Sequence, residues 1–478
     1  MNSIPDELAS KIIKKALSKG GDYADIFIEN KRHLSVQLED DKIEKIISGI
    51  DAGIGIRVIF ESRSAYAYGN DFSESSLIGM AETVSKAVKE KSSESALGAE
   101  LHGLKDNVRI NLKKVSPQVD FKIKFNPRDV DMKRKTLLVK SANKVARAVS
   151  NKIKQVTAGY MDSAQNIFIA TSEGKISRDE RIHTIAFIQV VAAEGDKLQT
   201  SYEPIGGFIG FELFDKSSYE EIALNMAQRA VAMLSARKIS GGRMPVVISA
   251  AAGGTIIHEA IGHGLEADLT QEGLSVYSNK LGQQIASPLI TVIDDSTLPN
   301  KRGSFRFDDE GVLAQRTVLV EKGILKRYMY DRLSAMKDRT VSTGNGRRES
   351  YESRPIPRMT NTFIAQGKSN PQEVIKSVNN GLFVKKMGGG QVNTVTGEFV
   401  FEVSEGYLIE KGQIGEPVRG ATLIGNGPEV LKSIDMVAND IGFSIGTCGK
   451  DAQGVPVSDA IPTIRIPDMV VGGEVRGE

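Results

Sequence analysis

The histidine spacing in residues 253–268, GGTIIHEAIGHGLEAD, is the feature that most restricts how this chain can fold. His258 and His263 are five residues apart, which in an ideal α-helix separates them by roughly 140° around the helix axis. Histidines four residues apart would instead share one face of a helix. One inserted residue, accommodated as a π-bulge, would return both rings to one face. Because Gly262 precedes His263 and glycine tolerates a distorted backbone, the segment predicts a π-bulge.

Two imidazoles on one helix face, with Glu259 directly after the first, form a pattern typical of catalytic zinc sites. The imidazoles would hold the ion and the carboxylate would take a proton from water. The alternative is a pair of histidines that are simply packed or solvated, and the motif by itself leaves both interpretations open. A zinc site of this type needs a third protein ligand.

The chain has one cysteine, Cys448, within the glycine-rich segment GTCGKDAQG. A lone cysteine is most often a small buried apolar residue. The neighbours of Cys448 are glycine, threonine and lysine, so we expect it in a polar turn rather than in the core. A thiolate in such a turn is a reasonable third zinc ligand.

Seven segments of the C-terminal half together carry a resemblance to a known family. They are HEAIGHGLEAD (258–268), RGSFRFDDEG (302–311), STGNGRRESY (342–351), PRMTNTF (357–363), GGQVNTVTGEFVF (389–401), LIGNGPEVL (423–431) and GTCGKDAQGVPVS (446–458). In this order they resemble the TldD/PmbA family of zinc-dependent peptidases, and more closely its TldD branch. The N-terminal half resembles the family more loosely.

The resemblance implies that His258, His263 and Cys448 are the zinc ligands and that Glu259 is the general base. It also implies dimers, in which bacterial members pair with a sister subunit that lacks the ligands. Roles in peptide maturation and turnover follow from the same resemblance. Ala452 stands where family members often carry glycine, a difference that affects only the local loop geometry.

Composition restricts the class of protein further. At 478 residues the chain is long enough for two or three domains. Its 62 Lys and Arg residues nearly balance 60 Asp and Glu residues, so the basic surface that nucleic-acid binding requires is not expected. A single cysteine fits a reducing compartment. The N-terminus lacks a signal-peptide apolar run, and no stretch of about 18 apolar residues is present, so we expect a cytoplasmic protein without membrane contact.

The pattern of apolar residues predicts an α+β fold with three domains, at residues 1–110, 111–238 and 239–478. The first two are mixed helix and strand regions. Each reads as a helix, about four strands and a second helix, which suggests an internal duplication. The third is a β-rich domain with short helices, and it carries the metal-site helix after a buried strand at 244–254.

Two adjacent arginines in STGNGRRES, Arg347 and Arg348, allow two interpretations. They could bind a peptide carboxylate or stabilise an oxyanion, or they could form structural salt bridges with acids such as those of the segment DDEG. Arg347, Tyr351 and Tyr330 are alternative electrophilic catalysts, and Arg347 and Tyr351 are the candidate substrate-binding residues. The remaining histidines, which occur singly, are expected to be ordinary surface or core residues: His33, His102 and His183.

The residues therefore predict a zinc-dependent peptidase that hydrolyses short or unfolded peptides, with Zn2+ as cofactor and water activated by Glu259. The partner is expected to be a second copy or a related subunit lacking the metal site. The alternative is a non-catalytic peptide-binding or regulatory subunit of a protease complex, to which the family's older label as a modulator of DNA gyrase belongs. Such a role would not require Glu259. DNA binding is a third possibility that the nearly neutral composition disfavours.

Overall fold

The computed structural model describes residues 4–93 and 110–473 and has an α+β fold. A mixed helix and strand part precedes a β-rich C-terminal part, as the sequence predicts. Within the described ranges, no helix is both long enough and apolar enough to span a bilayer. His102 lies outside the described residues, so its predicted role stays a prediction.

The N-terminal part contains two helix–strand–helix units of similar order. The elements of the first are α1 (Asp6–Ala16), β1 (Tyr23–Glu39), β2 (Lys42–Phe60), β3 (Arg63–Gly69) and α2 (Glu74–Ser93). A short strand, β4 (Lys113–Lys114), precedes the second unit. The elements of that unit are α3 (Met132–Arg147), β5 (Ile153–Thr171), β6 (Lys175–Glu194), β7 (Lys197–Gly207), α4 (Leu213–Lys216) and α5 (Tyr219–Leu234).

Each unit has three long strands where the sequence predicts four. The alternation of apolar and polar residues predicts separate strands at 24–30 and 34–40, but both are parts of β1, which runs for 17 residues without interruption. The residues between them are charged or aromatic and include no glycine or proline that would favour a turn. The chain therefore stays extended, with these side chains at half-buried positions.

The strands of both units belong to one sheet. Its order is β3-β2-β1-β5-β6-β4, with β7 also paired to β6. β1 and β5 join the two units as an antiparallel pair, in register from Asp25 opposite Thr171 to Glu39 opposite Thr157. Helices α1 and α2 cover one apolar cluster of this sheet, and α3 and α5 cover another. Hydrogen bonding is thus continuous across the limit predicted at residue 110, and the three domain limits stay predictions.

The C-terminal part is built mainly from strands. Those up to residue 364 are β8 (Arg237–Lys238), β9 (Gly242–Ile248), β10 (Val292–Asp295), β11 (Arg316–Glu321), β12 (Ile324–Leu325), β13 (Gly346–Arg347), β14 (Ile356–Pro357) and β15 (Asn361–Ile364). The later ones are β16 (Asn380–Val392), β17 (Glu398–Glu410), β18 (Gln413–Arg419), β19 (Thr422–Asn426), β20 (Met436–Val437), β21 (Gly442–Lys450), β22 (Gln453–Ile461) and β23 (Ile464–Gly472). The helices between them are short: α6 (Thr255–Ile257), α7 (Ala267–Gln271), α8 (Arg332–Lys337), α9 (Pro371–Lys376) and α10 (Gly427–Ser433).

Two sheets organise most of these strands, while β13 and β14 pair separately with each other. In the larger one, β16, β9, β23, β19 and β17 follow one another, and a direct β16–β17 pairing closes them into a barrel. The other has the order β12-β11-β10-β15-β22-β21 and ends at β21. The histidine segment packs into the core of the barrel part, because Ile257, Ile261 and Leu265 join the cluster that contains Val246 and Phe401. The site is therefore supported by rigid structure on its apolar side.

Buried ion pairs join the N-terminal sheet to the C-terminal part. The guanidinium of Arg57 on β2 contacts Asp25 on β1, and it lies 2.7 Å from the carboxylate of Glu310. Arg181 on β6 pairs with Asp309 at 2.8 Å. Removing one partner of such a buried pair would leave an uncompensated charge, so this contact strongly couples the two parts.

Five tight hairpins share one turn geometry. Two residues with positive φ connect β1 to β2, β2 to β3, β11 to β12, β17 to β18 and β21 to β22, and in the last turn they are Asp451 (φ 50°) and Ala452 (φ 57°). This is the type I′ geometry that matches the twist of paired strands. Aspartate tolerates left-handed backbone, whereas alanine is strained there, which explains why glycine suits position 452.

We expect Ala452→Gly to stabilise the protein by about 0.5–1 kcal/mol, since relief of left-handed strain outweighs the added entropy of the unfolded chain. Calorimetric melting or urea unfolding would measure the change. Ala232→Gly is the matched control: Ala232 is exposed in α5, and there glycine should destabilise by about 1 kcal/mol. Equal destabilisation by both substitutions would contradict the strain at residue 452.

Candidate metal centre

The backbone of the histidine segment departs from a regular helix at the predicted place. α6 is followed by a π-helical turn at His258–Gly262 and a 3-10 turn at His263–Leu265. The wider turn brings the two imidazoles together, with ring centroids 4.9 Å apart and ring planes at 85°. The predicted π-bulge is confirmed.

Gly262 is required for a different reason from the one that the sequence suggests. Its backbone is helical, with φ −54° and ψ −60°, so it relieves no forbidden conformation. A Cβ atom at this position would lie 2.2 Å from the sulfur of Met359. The glycine therefore permits close packing of the π-turn against the neighbouring chain.

Cys448 lies in strand β21 opposite Val455 and not in the hairpin turn. It is 2% exposed and belongs to the main core cluster, so the expectation of a cysteine outside the core is wrong. The reason is strand alternation, which directs its side chain to the sheet face that covers the histidines. Its Sγ lies 3.5 Å from Nε2 of His263.

The structure thus brings together the three predicted ligands. One ligand atom from each of His258, His263 and Cys448 lies within 4.8 Å of the others. Two imidazole nitrogens and one thiolate, with a fourth position left for water or substrate, fit the donor set and number of a catalytic zinc site. The residues present therefore fit a zinc ion.

Each imidazole is oriented by a buried carboxylate on its Nδ1 side. His258 Nδ1 donates to Asp459 Oδ1 at 3.0 Å, and His263 Nδ1 donates to Glu266 Oε2 at 3.1 Å. This pairing leaves both Nε2 atoms for the metal, and such carboxylates fix the tautomer and ring orientation of metal-binding histidines.

Further groups of the same network were not predicted from the sequence. Lys450 lies 3.0 Å from Glu266 and 2.7 Å from Asp268. Arg358 donates to the backbone oxygen of Cys448. The spacing along the chain could have indicated two of these groups. Glu266 stands three residues after His263, and Lys450 stands two residues after Cys448 and therefore on the same strand face. Asp459 gave no such local signal.

In the metal-free centre, the charges around the two imidazoles favour their protonated form. Burial by itself lowers the pKa of both histidines, but Asp459 raises the pKa of His258 well above 6.5, and Glu266 with Cys448 raises that of His263 to about 10. Burial opposes ionisation of Cys448, yet hydrogen bonds from the two histidines lower its pKa to about 6. Two imidazolium ions and a thiolate therefore face one another, and a metal ion would replace the imidazolium protons.

Glu259 occupies the second position of the π-turn, directly after His258, and its side chain is half-buried. Among the described residues, no hydrogen bond or ion pair to its carboxylate is found. A carboxylate in this position keeps its oxygens available for another molecule.

The three candidate electrophilic catalysts each form hydrogen bonds or packing contacts with other parts of the protein. Arg347 is buried and donates to the backbone oxygens of Met359 and Pro456. Tyr330 donates to Asp338 at 2.9 Å. Tyr351 is buried against the N-terminal sheet. A role of Arg347 or Tyr351 in substrate binding stays a prediction.

Arg348 also forms structural contacts, but among the described residues its guanidinium makes no salt bridge with the acids of DDEG and lies 3.9 Å from Asp25 instead. Its guanidinium donates to the backbone oxygen of Asp309 at 3.0 Å, and its backbone N–H donates to the Asp309 carboxylate at 2.8 Å. Of the single histidines, His183 is buried beside the backbone oxygen of Arg302, and His33 lies on β1 against Gly49. Neither belongs to the metal centre.

Comparison with known proteins places the chain in a family. Residues 24–90 match PmbA/TldA metallopeptidase domain 1, residues 125–234 match the central domain, and residues 241–473 match the C-terminal domain. The chain is 37% identical over 460 residues to a metalloprotease TldD homolog of Haemophilus influenzae, covering 95% of this chain and 93% of that protein.

Two further similarities extend over nearly the whole chain. A metalloprotease TldD homolog of Buchnera aphidicola subsp. Acyrthosiphon pisum is 35% identical over 483 residues, covering 99% of this chain and 97% of that protein. The solved structure of TldE from Thermococcus kodakarensis superposes with a TM-score of 0.75, covering 98% of this chain and 100% of that chain. At 18% identity, this second likeness is one of fold.

We expect Zn2+ binding at pH 8 to release about three protons, because the thiol is already ionised: one from each imidazolium and about one from zinc-bound water, whose pKa falls to about 7. Calorimetric titrations in buffers of different ionisation enthalpy would count them. With ordinary pKa values near 6.5 and 8.5, only about two protons would leave, from the thiol and the bound water. A count of two would therefore contradict the charge state described above.

We expect Asp459→Asn to weaken Zn2+ binding by about 10- to 100-fold, because His258 loses the carboxylate that orients its ring. Competition with a chelator would measure the dissociation constant. Asp435→Asn provides the control: Asp435 pairs with Arg465 at the surface, and its replacement should leave the affinity unchanged. Equal affinities for the two variants would contradict a role of Asp459 in orienting the ligand.

Proposed function

We propose, on the premise that this chain belongs to the TldD/PmbA family of metallopeptidases, that it is a zinc-dependent peptidase acting on short or unfolded peptides. The observation that carries the proposal is the convergence of His258, His263 and Cys448 within 4.8 Å. Relatives that are 35% and 37% identical are named metalloproteases, which supports the same reaction class.

The metal would be held by the two Nε2 atoms and the Cys448 sulfur, with Asp459 and Glu266 behind the imidazoles. A zinc ion bound there supplies a Lewis acid that activates water and polarises a carbonyl group. The protein contributes a largely dry pocket, since His258 and Cys448 are buried.

Glu259 is the proposed general base. Its half-buried carboxylate follows a ligand in the π-turn, so it is held at the rim of the centre by rigid backbone. In the proposed reaction it accepts a proton from the attacking water and then donates that proton to the leaving amine.

Extended peptides suit the shape of the site. Strand β21 carries Cys448 and ends the six-stranded sheet; in the described part of the chain it pairs with β22 alone. An exposed strand edge binds the main chain of an extended peptide through backbone hydrogen bonds. A cavity of about 440 Å³ beside Asp268, Leu269 and Lys450 offers space for a substrate side chain. A folded protein offers such a main chain only at the edges of its own sheets, so an extended peptide has easier access to β21.

We further propose that the chain acts as a dimer, either with itself or with a related subunit lacking the ligands. The shared fold with TldE supports a partner of similar architecture. A single cysteine that must remain a thiolate ligand supports a reducing, cytoplasmic compartment.

We expect Glu259→Gln to reduce hydrolysis of a mixed pool of unfolded peptides by about 10²- to 10⁴-fold, because the amide cannot accept the proton. Mass spectrometry of the pool would measure cleavage, and elemental analysis would measure bound zinc. Zinc content should remain unchanged, since no ligand is altered.

Glu7→Gln is the control for this substitution, because Glu7 is an exposed glutamate in α1 and lines no part of the proposed substrate site. It should leave both zinc content and cleavage unchanged. Stoichiometric zinc without cleavage by the unmodified protein, alone or with its partner subunit, would instead favour a peptide-binding or regulatory subunit.

A further inference from the structure

Lys450 is a buried cation at the boundary of the metal centre. It lies two residues after Cys448 on β21, so both side chains project from the same face of the strand. Its side chain is 8% exposed. Nζ lies 3.0 Å from Glu266 and 2.7 Å from Asp268, and it donates to the backbone oxygen of Pro357 at 3.1 Å. These three acceptors match the three N–H groups of an ammonium ion.

Glu266, which orients His263, depends on this cation. It is 0% exposed, and its Oε2 atom receives both His263 Nδ1 and the Lys450 ammonium. The other oxygen, Oε1, is 4.0 Å from Arg358 Nε and has no hydrogen-bond partner among the described residues. Among the described residues, Lys450 is thus the lysine or arginine within hydrogen-bonding distance of this carboxylate, whereas Arg358 lies farther away.

The contact also joins the two chain segments that supply the ligands. His258 and His263 come from the π-turn segment, which continues directly into Glu266 and Asp268. Cys448 comes from β21, far away in sequence. Lys450 connects β21 to the end of the histidine segment, close to the position where imidazole and thiolate must meet.

We propose that Lys450 is a positioning residue for the metal centre, which acts through Glu266 on His263 and holds β21 at the correct distance from the π-turn. This inference rests on the proposed metal site. It concerns one ligand in particular, because Asp459, the corresponding carboxylate on His258, has no ion pair with a lysine or arginine among the described residues.

The test compares Zn2+ affinity and the Co2+ absorption spectrum of Lys450→Met, Lys450→Arg and the unmodified protein. Lys450→Met should weaken Zn2+ binding by about 10- to 100-fold and shift the Co2+ bands, because the His263 ring loses its fixed orientation. Lys450→Arg should restore most of the affinity, since a guanidinium can also bridge two carboxylates. Lys385→Met, at a lysine paired with buried Glu405, is the control and should change neither measurement.

A double-variant cycle with Glu266→Gln tests the route of the effect. If Lys450 acts through Glu266, adding Lys450→Met to Glu266→Gln should change Zn2+ affinity by less than about threefold. This double variant leaves Glu266 and Lys450 both uncharged, so it also carries the test if Lys450→Met alone fails to fold.

Three results would overturn the inference. The first is a lower melting temperature of Lys450→Met with unchanged Zn2+ affinity and Co2+ spectrum, which would make the residue purely structural. The second is an additive loss in the double variant, and the third is full retention of all properties. Failure of the unmodified protein to bind Zn2+ would overturn the proposed function together with this inference, so the two failures are distinguishable.

Discussion

The π-helical turn at His258–Gly262 is the constraint on which the metal centre depends. A regular helix would direct two histidines five residues apart to different faces, and no third ligand could then reach both. The wider turn places the rings 4.9 Å apart. It is held by packing on both sides, since Ile257 and Ile261 enter the main core and Gly262 lies against Met359. The irregular backbone is therefore stabilised by the barrel core.

Charge balance is the second requirement of this centre. Asp459 and Glu266 are both buried, and each would be costly in a low-dielectric interior without a partner. The imidazoles supply that partner, and in the metal-free protein they do so as imidazolium ions. A divalent cation can take the place of those protons without leaving either carboxylate uncompensated. The same acids thus serve protein stability and ligand orientation.

The N-terminal sheet contributes to the position of β21 although it carries no ligand. Tyr351 packs into a space that glycines on β2 leave open, since a Cβ at Gly53 would lie 2.2 Å from its ring. Its backbone N–H donates to Glu29 on β1 at 2.9 Å. Two residues earlier, the carboxylate of Glu349 accepts from the backbone N–H of Gly454 at 2.9 Å. The segment 342–351 therefore connects the N-terminal sheet to the hairpin that carries Cys448, which gives its residues a structural role.

Local patterns in the sequence were sufficient for the α+β class, for most helices and for the π-bulge, because these follow from residue spacing along one segment. The family resemblance drawn from seven segments is confirmed by the matches to all three domains. The sequence predicted too many strands in the N-terminal part, and each was too short. Charged residues at the centre of β1 suggested a break, but pairing with the neighbouring strands β2 and β5 keeps them extended.

The sequence by itself determined which groups could bind a metal or move a proton, because only the histidines, the glutamate and the cysteine of these motifs carry suitable side chains. Only the tertiary structure decided their surroundings. Cys448 is buried on a strand because β21 and β22 pair over the histidine segment, and Asp459 reaches His258 across 201 residues. Such contacts depend on how separate segments pack, and no local periodicity records which acid will meet which imidazole.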